Sequence, residues 1–174
     1  MGISGTTASI IWSVFQTICL VPPLWFVTAQ IVGDAQSEWE SRSLRFAGCL
    51  LAYCSILVLA AIAGSANDLL AAVPLLWAIA LALAGELTPK RAVLCGSLIG
   101  LAVALKFSNV LSLPLFLFAT LPASRGGVVH LLRLAFAGVA SVIAFALAYA
   151  PWGYQLWTQF GNPLYPHLDT FFRG

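Results

Sequence analysis

The chain has 174 residues, 61% of them hydrophobic and 8% charged, with mean hydropathy +0.97 and a net charge of +2. Soluble domains carry about 25% charged residues, so the composition excludes an ordinary soluble enzyme and points to an all-α bundle of membrane-spanning helices. The eight Lys and Arg are scattered rather than clustered, which removes nucleic acid as a partner.

The first apolar run covers residues 8–32. It is long enough to span, because about 20 helical residues cross a hydrocarbon core of roughly 30 Å. Pro22-Pro23 is expected to kink it. No basic stretch precedes it, so a signal peptide is a poor reading. Residues 33–45 form the most polar stretch and hold Asp34, Glu38, Glu40, Arg42 and Arg45. They read as a solvated connecting loop. A second run, 46–63, is expected to be one span, ended by Gly64-Ser65. Ser65 and Asp68 have the spacing of a capping box, which gives Asp68 a structural role beside any functional one.

Asn67-Asp68 opens a third run, 69–85, and the charged turn Glu86–Arg91 closes it. Residues 92–105 are apolar up to Lys106. That is about 21 Å of helix, short of a full core. Residues 107–121 return over a similar length, interrupted by Pro114. One helix from 92 to 121 would place a lysine at its centre, at a cost of roughly 2.5–3.5 kcal/mol. Two short helices meeting at a polar apex, Lys106 to Asn109, are therefore expected. Pro122 to Gly127 reads as a turn with Arg125, and 128–150 as the last of about six spans. The chain thus divides into a helical bundle, 1–150, and an interfacial segment rich in Trp and Pro, 151–174.

The loops on one face hold Arg42, Arg45, Lys90, Arg91, Arg125 and Arg133, against Lys106 and Arg173 on the other. The positive-inside rule assigns the richer face to the cytoplasm. Both termini are then expected outside, and an outer N-terminus suggests that sequence upstream of Met1 is missing. Asn67, Asp68, Lys106, Asn109 and the tail fall on the outer face. A cation at membrane depth is a functional candidate. Lys106 is suited to holding a phosphate as a point charge, or else anchors a helix end by snorkelling. Asp68 is a candidate to orient a hydroxyl, act as a base or pair with Lys106. Asn109 is a phosphate donor or a helix cap. Asn162-Pro163 marks a turn, and His167 is a candidate base at neutral pH, set against the plainer reading of a lone exposed His in a Pro-rich turn. Cys19, Cys49, Cys54 and Cys95 lie in apolar runs and read as small buried hydrophobes. No metal-ligand spacing occurs and no cofactor is required, although a divalent ion is not ruled out by the residue pattern.

Three blocks resemble one family. They are Asn67-Asp68-Leu69 at the start of a span, the segment Gly96 to Phe107, and Ala150-Pro151-Trp152 followed by Gly161-Asn162-Pro163-Leu164-Tyr165-Pro166. Their order and spacing are similar to the middle portion of bacterial integral membrane glycosyltransferases of the GT-C superfamily. The resemblance implies sugar transfer from a polyprenyl-phosphate donor on the outer face of the bacterial inner membrane. It also implies donor or lipid-phosphate contacts at Lys106, Asn109, Asp68 and Asn67, with Asn162, Tyr165 and His167 on an external loop. The acidic external loop that carries the family's catalytic acid has no counterpart, so the catalytic residue is unknown and a truncated or split member is expected. Membrane lipid, a polyprenyl-phosphate-linked sugar and the missing N- and C-terminal parts are the implied partners. A non-catalytic multi-span membrane subunit or transporter fragment is the alternative.

Overall fold

The computed structural model describes residues 5–33, 37–63, 67–121 and 127–172; expectations resting on Asp34, Ser65, Arg125 and Arg173 fall outside these residues. The described residues are helical, with no strand among them. The helices are α1 (Gly5–Val32), α2 (Glu38–Tyr53), α3 (Ile56–Ala63), α4 (Asp68–Leu83), α5 (Pro89–Leu105), α6 (Leu113–Thr120), α7 (Gly127–Phe160) and α8 (Asp169–Phe172). A 3-10 helix, Phe107–Ser112, joins α5 to α6.

Several boundaries differ from the expected ones. The polar stretch is not all loop: Ser37 caps α2, accepting from the Glu40 N–H at 3.2 Å, and Glu38 pairs with Arg42 one turn on. The Ser37 cap and the acidic first turn of Glu38 and Glu40 favour helix, and Glu38, Glu40 and Arg42 stay exposed. The expected single span 46–63 is broken at Cys54-Ser55 into α2 and α3. Cys54 is exposed there, and of the four free cysteines only Cys95 is buried. α1 is continuous across Pro22-Pro23, and Pro114 lies in the first turn of α6 rather than interrupting it. Proline fits a first turn because that N–H has no partner anyway. α7 does not stop at Ala150 but continues through Pro151 to Phe160.

α4 lies between α1 and α5, α2 packs on the far side of α1, and α7 packs on the far side of α5. Contacts fix the directions. Phe26 meets Trp77, and Gln16 meets Leu70, so α1 and α4 run parallel. Cys49 and Tyr53 of α2 meet Thr28 and Thr17 of α1, so those two are antiparallel. The interior is built from small and branched side chains, among them Ala78, Ala82, Ala92, Cys95, Ile99, Phe116 and Ala137.

Gly96 and Gly100 set the closest approach. A Cβ on Gly96 would lie 2.0 Å from the Ala137 carbonyl oxygen, and one on Gly100 would lie 2.1 Å from that of Ser141. The two glycines, four residues apart, let the α5 and α7 backbones touch, as small residues do at this spacing between apolar helices. The register, 96 with 137 and 100 with 141, makes α7 parallel to α5.

Two helices, α1 (28 residues) and α7 (34 residues), are long and apolar enough to cross a membrane. Only 17% and 6% of their most apolar stretches are buried within the chain. Their exposed Ile, Leu, Val and Phe side chains require lipid or other protein as cover.

Candidate functional site

The topology gives the bundle two polar ends. At one, Glu86 pairs with Arg133 (2.5 Å), and Arg91 donates to the Ala84 and Glu86 carbonyls at the end of α4. Thr88 caps α5 and Pro89 follows it, so the expected charged turn is partly the first turn of α5. Lys90 is exposed beside them.

The other end gathers residues distant in sequence. α5 stops at Leu105 because Lys106 leaves helical geometry, with φ −153° and ψ 112°. Its ammonium then reaches the Asp68 carboxylate at 2.6 Å. Asp68 opens α4 and Lys106 closes α5, so each charge also complements its helix dipole. Both side chains remain about two-fifths exposed, 42% for Asp68 and 39% for Lys106. The pair is therefore accessible rather than sealed.

The asparagine amides bond to backbone carbonyls. Asn67 precedes α4 but makes no side-chain cap; its amide donates instead to the Leu105 carbonyl at 3.4 Å. The first-turn N–H of Leu70 is satisfied across the bundle by Gln16 Oε1 at 3.2 Å. Gln16 is fully buried. The Asn109 amide donates to two backbone carbonyls, Ala71 at 3.1 Å and Ala102 at 2.9 Å. Both of its N–H groups are thus directed at the protein rather than at a ligand. These three bonds clamp the start of α4, the end of α5 and the 3-10 helix together without using either charge.

The tail reaches the same place. Gly161, at φ +67°, ends α7 with its N–H on the Trp157 carbonyl. Glycine suits this left-handed helix stop. Asn162 is fully buried; its Oδ1 accepts from the Leu164 N–H and its Nδ2 donates to the His167 carbonyl, both at 2.8 Å. Tyr149 donates to the Pro163 carbonyl, and Tyr165 stacks on Phe160 at 4.2 Å. These contacts fold residues 161–168 back along α7. His167 then stacks on Phe107, the residue after Lys106, with ring centroids 5.5 Å apart. Phe107 also meets Phe145. Fifteen residues of α7 follow Phe145, about 22 Å at 1.5 Å per residue. The ion pair accordingly sits at the foot of a wall formed by the second half of α7 and the returning tail.

All seven predicted residues, Asn67, Asp68, Lys106, Asn109, Asn162, Tyr165 and His167, fall at this end or on the tail above it. Gln16, Phe107 and the Gly96/Gly100 pair were not singled out by residue chemistry alone. Their signals were an amide midway along an apolar run and the glycine spacing of four. No group of three His, Cys, Asp or Glu side chains among the described residues is arranged to hold a metal ion. No family model, curated protein or solved structure matches the chain.

Proposed function

We propose that this chain is the membrane-embedded, donor-binding portion of a glycosyltransferase of the GT-C type. In this reading about six segments cross the bacterial inner membrane, both termini face outward, and Lys106 receives the phosphate of a polyprenyl-phosphate-linked sugar. One observation carries the reading. The three segments that resemble the family lie far apart in sequence, yet they meet: Asp68 on Lys106, and Phe107 against His167 of the tail. A cation at the foot of a helical wall, accessible from one end, suits an anionic headgroup. An apolar cleft of about 330 Å³ between α5, α6 and α7, lined by Ile99, Leu113, Phe116, Leu134 and Val142, begins within about 10 Å of Lys106 along α5. It is suited to the donor's hydrocarbon chain. The catalytic acid would come from outside this chain.

The test is transfer by the complete enzyme. Lys106→Ala should abolish use of the polyprenyl donor while expression is retained. Unchanged transfer would refute the reading. A second reading is favoured by the ion pair itself: Asp68 and Lys106 form a structural tie in a non-catalytic membrane subunit or transporter fragment. In that case either single charge removal should destabilise the protein more than removing both, because one uncompensated charge remains.

A further inference from the structure

Lys106 is already occupied. Its ammonium lies 2.6 Å from Asp68 Oδ1, so an incoming phosphate must compete with a carboxylate in place. The surroundings make that competition workable. Asn67 ties α4 to the end of α5, and Asn109 ties the 3-10 helix to both α4 and α5, all through backbone carbonyls. The junction keeps its shape if the two charges part. Both side chains are about two-fifths exposed, and a pair in that setting contributes only about 0.2–1 kcal/mol. A phosphate offers more acceptor oxygens and up to twice the charge of a carboxylate.

We propose that Asp68 is an exchangeable placeholder on Lys106. A phosphate group displaces the Asp68 carboxylate from the ammonium, and Asp68 is released toward the headgroup attached to that phosphate. The empty site thereby keeps its cation compensated, and binding of the anion uncovers a carboxylate beside the ligand. This rests on the reading of Lys106 as a phosphate site but adds a competitor that the reading does not require.

The full chain in detergent micelles is titrated with a polyprenyl monophosphate, with the uncharged polyprenol and with inorganic phosphate, and bound ligand is counted by native mass spectrometry. Asp68→Asn should tighten polyprenyl monophosphate binding about 1.4- to fivefold, the factor equivalent to losing the competing pair. Lys106→Gln should weaken it about tenfold or more, to the level of the polyprenol. The same gain with inorganic phosphate identifies the phosphate group alone as sufficient; a gain confined to the lipid identifies a membrane-borne headgroup. Weaker or unchanged binding by Asp68→Asn, with Lys106 still required, overturns the exchange and leaves the phosphate reading standing. Binding that ignores Lys106 overturns both. Should Asp68→Asn fail to fold, carbodiimide labelling of Asp68 in the unmodified chain decides: labelling that rises on adding polyprenyl monophosphate supports the exchange, and labelling that stays level or falls overturns it.

Discussion

Gly96 and Gly100 offer the sharpest mechanical test of the fold. A methyl group at residue 96 would stand 2.0 Å from the Ala137 oxygen, 2.7 Å from its carbonyl carbon and 2.8 Å from its Cα. All three are backbone atoms and no rotamer relieves them. Reaching ordinary contact at about 3.4 Å requires α5 and α7 to move apart by about 1.4 Å, opening the seam that holds Cys95, Ile99 and Ala137. Overpacking of this kind typically costs about 1–3 kcal/mol. The better helix propensity of alanine returns about 1 kcal/mol. Gly96→Ala should therefore lose up to about 2 kcal/mol. Gly138→Ala is the control, since nothing lies within 4 Å of a Cβ there; it should be neutral or slightly stabilising. Thermal unfolding of both variants in the same detergent reads the difference. Gly96→Ala matching or exceeding Gly138→Ala in stability would refute the close approach of these helices.

Asn109→Ala removes two hydrogen bonds to part-buried carbonyls and should cost about 1–3 kcal/mol, read by the same unfolding measurement. Gln16→Leu leaves the Leu70 N–H without its partner inside the bundle and should cost a similar amount, with hydrogen exchange fastest in the first turn of α4. In a double-mutant cycle, Asp68→Ala and Lys106→Ala should show a coupling of about 0.2–1 kcal/mol; about 3 kcal/mol or more would favour the structural tie over the binding site. Asn162→Ala should free the 161–168 turn from α7, read as faster protease cleavage there.

The helical class was legible from the long apolar runs, and the break at Lys106 because a lone lysine is costly in the middle of a span. The gathering of Asp68 and Lys106 at one end followed from counting alternations between apolar runs. The α2–α3 break was not legible: residues 46–63 are apolar apart from Gly48 and Ser55, and Cys54-Ser55 carries no strong stop. Nor was the length of α7, because Pro151 reads locally as a terminator while the helix continues on either side of it. The backbone bonds of the asparagines were not legible either. Asn109 looks like a ligand donor by residue type, and only the approach of α4 and α5 shows that two carbonyls claim its amide.

On the proposed reading, Asp68, Lys106 and the tail occupy one face of a membrane bundle, and the Lys90–Arg91 turn the other. Single cysteines at exposed Ser108 and Lys90, in a chain whose four native cysteines are replaced by alanine, can be tested with a membrane-impermeant thiol reagent applied to sealed cells. Position 108 should label from outside and position 90 only after the membrane is opened. Labelling of both from the same side would contradict it.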